Sequence, residues 1–428
     1  MALNARDAAA NVALEVPGRV IVILAPDASR LAPVAGLPLV QRAVLSALRA
    51  EFDDIVVLAD DARERMRTLL AEDPRTAAAR VTVRERVELG ANVALTIVAA
   101  DVLVTPPALR RKEDDGRATI VLHDAYPVLA RCRARDLITP AAPVVDVRPT
   151  ATLGAGDGDA VFTALRAGGA VVVPADALCV RIDGPRAAAA AEAALCALLR
   201  AESAATDGAL ARAIDRRISC RLSRAIVRHT SLRPNHVTLI GTAIGLAAAA
   251  LLARGTYASG VLGTLLFLVA AIIDGCDGEV ARLTFRESTF GQKLDVTTDN
   301  VVHLAIFIGL AVGLQRRAPD GHVATLAALL LGGFALDGAL SYYFLVVRTE
   351  WRAVSHTAFS VRGRVRQRVL NGLKALMNRD FAYLLLVLAI ADRLHWFLWG
   401  AAIGSYAFAA LFISLYRAGQ AADHAVAV

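Results

Sequence analysis

Apolar stretches of about 20 residues recur through the second half of the chain, each long enough to cross a bilayer as a helix. Within hydrocarbon a segment must satisfy its own backbone hydrogen bonds, so such stretches have little choice but to be helical. Six spans can be read, near 237–253, 258–282, 291–313, 322–346, 381–394 and 396–416, with Asp392, Arg393 and His395 leaving only a tight turn between the last two. The first half reads differently. Short β-branched runs near 19–25, 53–60, 93–105, 118–124 and 170–178 alternate with helix-like segments at 38–50, 61–71 and 186–201, a pattern that predicts a mostly parallel sheet covered by helices. The expected architecture is an N-terminal α/β three-layer domain over 1–205, an interfacial helix and linker over 206–235, and a C-terminal all-α six-helix transmembrane domain over 236–420.

Charge placement orients these spans. Arg212, Arg216, Arg217, Arg221, Arg224, Arg228 and Arg233 precede the first, and the loop from Arg348 to Arg379 adds Arg352, Arg362, Arg364, Arg366, Arg368 and Lys374. Basic flanks stay cytoplasmic, and an even number of spans puts both chain ends on that side. The expectation is a multi-pass protein of the cell (inner) membrane with a cytoplasmic N-terminal domain and C-terminus. The first residues lack a signal peptide's apolar core, and the five cysteines show no metal-type spacing or disulfide-like density, which fits a reducing compartment. Between 207 and 233, Leu210, Ile214, Ile218, Leu222 and Ile226 recur at steps of four among arginines, as in an interfacial amphipathic helix. The net charge of +7 is therefore directed at anionic lipid headgroups and not at nucleic acid.

Four aspartates stand out against this background. Asp274 and Asp277 are three apart and Asp295 and Asp299 four apart, in DGCDGEVARLTFRESTFGQKLDVTTD, so on helices each pair shares a face. A carboxylate within a membrane helix costs roughly 2.5 to 3.5 kcal/mol on insertion scales, so a cluster of four implies a ligand. Hard oxygen donors suit Mg²⁺, Mn²⁺ or Ca²⁺ rather than zinc, and two such ions can clamp the attacking and leaving oxygens of a phosphoryl displacement. Gly278, Ala281 and Gly291 leave room beside these carboxylates, and Arg282 offers a planar fork for phosphate. His236, Cys276 and His303 lie nearby and read as packing residues.

Asp274, Asp277, Gly278, Ala281, Arg282, Gly291, Asp295 and Asp299 together resemble the signature of the CDP-alcohol phosphotransferase family, and RPNHVT, with Pro234, Asn235 and Thr238, resembles the start of its first membrane helix. The resemblance covers roughly residues 207–420. It implies that Asp274, Asp277 and Asp295 hold two divalent cations, Mg²⁺ or Mn²⁺, on a CDP pyrophosphate. Asp299 shares in ligation or acts as catalytic base. Asn235, Thr238, Gly278, Ala281, Arg282, Ser288 and Gly291 would face the CDP moiety. It further implies a CDP-linked donor, a polyol or polyol-phosphate acceptor, release of CMP, and a homodimer. Arg379 and Asp380 are candidates for the acceptor pocket, since arginine suits phosphate; the basic loop before them serves equally well as a topology signal.

The first half loosely resembles the sugar nucleotidyltransferase fold, with LAPDASRLAPVAGLPLVQRAV in place of a glycine-rich phosphate loop. Arg30 and Pro38 fit that pattern. Pro26 and Ala28 stand where glycines would free backbone amides, Leu37 stands where lysine would meet phosphate, and VLVTPP replaces a metal-binding aspartate. GAGDGDA at 154–160 has no lysine and reads as a plain loop without strand and helix around it. The domain thus resembles a degenerate relative of the cytidylyltransferase half found in bifunctional inositol-phosphate enzymes. The expected activity is CDP-alcohol phosphotransfer by the second half alone, as in phospholipid or inositol-phosphate synthesis. The alternatives are a bifunctional enzyme that also makes its CDP-alcohol and a non-catalytic membrane scaffold.

Overall fold

The structure, a computed structural model, describes residues 19–25, 33–77, 80–110, 117–137, 150–175, 178–203, 210–319, 321–342, 381–407 and 409–410. The chain divides into two compact units, Met1–Leu198 and Leu199–Val428.

In the first unit, β1 (Arg19–Leu24), β2 (Asp54–Leu58), β3 (Val81–Arg84), β4 (Ala94–Ala99), β5 (Thr119–His123), β6 (Tyr126–Arg133) and β7 (Val171–Pro174) form one sheet in the order β7-β5-β6-β4-β1-β2-β3. All neighbours are parallel except around β6, which runs antiparallel to both β4 and β5. Alternate residues of β1 feed opposite faces. Ile21 and Ile23 pack with Val40 and Val44 of helix Leu39–Arg49 and with Met66 and Leu70, whereas Val20, Val22 and Leu24 pack with Val161, Phe162 and Leu165 of helix Gly158–Ala167. The result is a mixed sheet between helical layers.

The structure differs from the sequence reading in several places, the unread strand β3 among them. The run at 93–105 breaks into two strands, Ala94–Ala99 and Val102–Val104, at a turn holding the buried Asp101. Strand β6 went unread because YPVLARCR carries two arginines; the buried Arg131 is accommodated by donating from Nη2 to the carbonyl of Ala108. GAGDGDA is framed after all: strand Thr150–Gly154 leads into it and helix Gly158–Ala167 leaves it. Its centre is closed by its own carboxylate, since Gly154 N donates to Asp157 Oδ2 at 2.7 Å, which places negative charge where a phosphate would need none.

The second unit is helical: α1 (Arg216–His229), preceded by a π-helical turn at Ala211–Asp215, then α2 (Pro234–Leu252), α3 (Tyr257–Leu283), α4 (Thr289–Arg317), α5 (Gly321–Tyr342) and α6 (Phe381–Ile390), with a further helical stretch at 394–407. By length and composition α2, α3 and α4 are able to cross a membrane, and shorter apolar helices cover His322–Leu336 and Phe381–Ile390. Each long helix begins on a cap. Pro234 opens α2 behind Arg233, whose amide donates to His236 Nδ1 at 3.3 Å, Thr256 accepts from Ser259 N, and Ser288 accepts from Gly291 N.

Glycine sets the closeness of α2 to α4. A Cβ at Gly309 would lie 2.3 Å from the Ala249 carbonyl oxygen, and one at Gly313 would lie 2.1 Å from that of Leu252. Below them Ala248, Ala249 and Leu252 of α2 form one core with Phe267 of α3, Val302, Ile306 and Leu310 of α4 and Leu385 of α6. Such small-residue contacts take the place of the hydrophobic drive that lipid removes.

Candidate metal centre

Helix α3 ends and α4 begins on one short connection, residues 284–288, so the late turns of one and the early turns of the other border the same site. Asp274 and Asp277 of α3 and Asp295 of α4 each offer an oxygen, and these lie within 4.8 Å of one another. Three carboxylates so close repel one another, and a divalent cation among them would offset that repulsion. Their hard donor set suits a divalent ion such as Mg²⁺ or Mn²⁺, so the residues present fit the group the sequence implied.

Asp277 is the most enclosed, at 8% exposure. The Thr238 hydroxyl of α2 donates to its Oδ2 and the Gly278 amide lies against its Oδ1. Thr238, read from sequence as a CDP residue, thus sits behind a metal-ligand candidate. Partners of this kind fix a ligand's orientation.

Asp299 lies one turn beyond Asp295 and lines a cavity of about 60 Å³ together with Asp274, Thr242, Thr298 and His303. Phe267 and Phe381 complete its apolar side. The His303 ring meets Phe267 edge-on at 6.0 Å and Phe381 at 5.5 Å, and its Nδ1 stands 2.7 Å from the Asp299 carbonyl oxygen. A carbonyl only accepts, so Nδ1 carries the proton in this arrangement. His303 was expected to be a packing residue; the structure adds that it borders the cavity.

The remaining positions gather on the same end of the helices. A Cβ at Gly291 would lie 3.1 Å from Ser288 Oγ and 3.3 Å from Asn235 Oδ1, so these three residues converge. A Cβ at Gly278 would meet only Arg282 Nη2, at 3.8 Å; among the described residues no helix packing demands glycine there, and the space it leaves lies beside the carboxylates. Arg282 Nε is buried with no partner among the described residues. Ala281 is buried next to it in sequence. Arg379 and Asp380, with the basic loop before them, lie outside the described residues.

One carboxylate was not singled out from the sequence. Glu279 of α3, 1% exposed, accepts from Ser219 Oγ and Ser223 Oγ of α1, both at 2.7 Å, and from Arg216 Nη1 at 3.4 Å. The signal available was a third acid inside an apolar helix, two residues after Asp277.

Residues 231–403 match the family model described as CDP-alcohol phosphatidyltransferase. Curated relatives include a bifunctional IPC transferase and DIPP synthase of Archaeoglobus fulgidus, 31% identical over 194 residues, covering 45% of this chain and 35% of the relative. A protein of the same name from Rubrobacter xylanophilus is 39% identical over 104 residues, 24% of this chain and 23% of the relative. An archaetidylinositol phosphate synthase of Methanothermobacter thermautotrophicus is 33% identical over 127 residues, 29% of this chain and 57% of the relative. The chain thus spans about a third of the length of the first of these relatives. Among solved structures, the Mycobacterium tuberculosis phosphatidylinositol phosphate synthase with CDP-DAG bound is 22% identical, covering 46% of this chain and 93% of that one, with a TM-score of 0.32.

Proposed function

We propose, from the match of residues 231–403 to the CDP-alcohol phosphatidyltransferase model, that this chain moves a phospho-alcohol group from a CDP-linked donor to an acceptor hydroxyl at the Asp274, Asp277, Asp295 and Asp299 cluster. The observation that carries this reading is the meeting of Asp274, Asp277 and Asp295 within 4.8 Å, beside a cavity that Asp299 lines. Two divalent cations held by these carboxylates would neutralise charge on the donor pyrophosphate.

The chain's own groups supply the rest. Arg282 beside Gly278 pairs with donor phosphate, and Asn235, Ser288 and Gly291 border the nucleotide. Asp299 takes the proton from the acceptor hydroxyl as its oxygen bonds to phosphorus. The phosphorus–oxygen bond to CMP breaks, and CMP leaves. The donor is CDP-diacylglycerol or a soluble CDP-polyol, and the acceptor is a polyol or its phosphate, in keeping with a relative named archaetidylinositol phosphate synthase. In this reading the second unit has six spans in the cell membrane, both chain ends are cytoplasmic, and the protein is a homodimer whose catalytic end faces the cytosol.

The first unit acts as a scaffold or regulator. Leu37, where a phosphate-binding lysine would stand, is buried in a hairpin whose turn amide, Ala35 N, donates to Glu192 Oε1 at 2.8 Å. CTP-dependent pyrophosphate release by the full chain would instead mark a bifunctional enzyme. The central test is metal-dependent CMP release from CDP-diacylglycerol and CDP-inositol across polyol and polyol-phosphate acceptors. Asp299→Asn is expected to abolish transfer while CDP binding and folding persist; unchanged turnover refutes the base assignment, and no release from any donor refutes the enzyme.

A further inference from the structure

Helix α3 is held from two sides at the level of the carboxylates. Asp277 and Glu279 are two residues apart, about 200° around the helix axis, and so face opposite ways. Asp277 turns toward α2 and receives the Thr238 hydroxyl, while Glu279 turns toward α1 and receives Ser219 and Ser223. The two serines are one turn apart on α1, so each carboxylate oxygen of Glu279 has its own hydroxyl, and Arg216 adds charge from the preceding turn. Cys276 Sγ, next to Asp277, lies 3.7 Å from the Ser219 carbonyl oxygen, and Ser223 Oγ lies 3.4 Å from that of Cys276.

We infer that Glu279 is a positioning residue for the metal cluster. By fixing the rotation of α3 against α1, it sets the direction in which Asp274 and Asp277 project and hence whether they meet Asp295. The inference rests on the reading of these aspartates as metal ligands. A buried carboxylate is costly unless fully paired, and packing α1 against α3 would need no charge at all. The pairing gives what packing does not: a bidentate, directional tie whose partners accept one azimuth of α3. The flank of α1 beside these serines, and the turn before it, exposes Ile218, Leu222, Leu210 and Ile214, each 38–43% exposed. The helix that a bilayer surface would seat is therefore the one that holds Glu279.

The test is direct Mn²⁺ binding to the purified full chain in detergent, read from loss of the free-ion EPR signal, with melting temperature and CMP release measured on the same samples. Glu279→Ala is expected to weaken Mn²⁺ binding about 10- to 100-fold and to lower kcat, with donor KM changed far less. Glu279→Gln, which still bridges both serines through its oxygen and amide, is expected to restore most of the affinity. Ser223→Ala removes one hydroxyl only and is expected to shift affinity in the same direction by a smaller factor, so it carries the test should Glu279→Ala fail to fold. Wild-type affinity in folded Glu279→Ala or Ser223→Ala, with only the melting temperature lowered, overturns the inference and leaves a structural tie. Asp277→Asn separates the two readings: if wild type binds no Mn²⁺, or Asp277→Asn binds it equally well, the metal assignment itself falls and this inference with it.

Discussion

The Thr238 hydroxyl of α2 donates to Oδ2 of Asp277 across the α2–α3 contact, in a position only 5% exposed. A hydrogen bond to a charged group contributes about 1.5 to 3 kcal/mol, and the other oxygen of Asp277 lies against the Gly278 amide. Thr238→Val, equal in shape but without the hydroxyl, is expected to raise the Mg²⁺ concentration for half-maximal CMP release about 10- to 100-fold. Thr238→Ser should stay within a few-fold of wild type. Equal metal dependence in the valine variant would make Thr238 a packing residue.

Gly309 and Gly313 set the distance between α2 and α4. Methyl groups there would sit 2.3 and 2.1 Å from backbone oxygens of α2, and backbone has no rotamer with which to escape. Gly309→Ala and Gly313→Ala are each expected to lose about 1 to 3 kcal/mol of stability, seen as a lower melting temperature in detergent. Because Asp295 and Asp299 ride on α4, activity should fall further than stability does. Gly278→Ala is the contrast: its Cβ meets only Arg282, so the fold should tolerate it while donor KM rises.

These glycines show how legibility depended on what a residue answers to. The aspartates were readable because charge in an apolar helix has few explanations and their spacing states a helix face. Gly241 with Gly245, and Gly309 with Gly313, also repeat at steps of four, a helix-packing signal carried by the sequence itself. Glu279 was harder, since its meaning depends on Ser219 and Ser223, distant in sequence, and a single acid beside a motif resembles a solvated position. Strand β6 was hidden for a similar reason: Arg131 is acceptable in a core only because the Ala108 carbonyl waits for it. Local pattern carries periodicity; it does not carry the partner that makes a buried charge tolerable.

All five cysteines are buried. In the first unit, burial pushes the Cys179 thiol up to about 12, although Arg131 pulls the other way. Its reactive thiolate is therefore scarce at about pH 8.5, where an ordinary cysteine is half ionised. Iodoacetamide is expected to label none of the five in the folded protein over minutes and all five after denaturation, counted by mass spectrometry. Activity should survive the folded treatment. Rapid labelling at Cys179 would contradict the burial described for it.

Ser288 combines two possible duties that different substitutions separate. Its hydroxyl caps α4 by accepting from Gly291 N at 3.0 Å, and Asn235 approaches the same point. An N-cap serine contributes about 1 kcal/mol, and aspartate serves the same role equally well. Ser288→Ala is therefore expected to lower stability by roughly that amount, whereas Ser288→Asp should keep the wild-type melting temperature. If the residue also borders a donor pyrophosphate, the added negative charge of Ser288→Asp must repel it and raise donor KM, with kcat less affected. A Ser288→Asp variant with unchanged donor KM would confine Ser288 to capping and move the nucleotide away from the start of α4. The KM of that one variant therefore reports where the donor lies, independently of any effect on the fold.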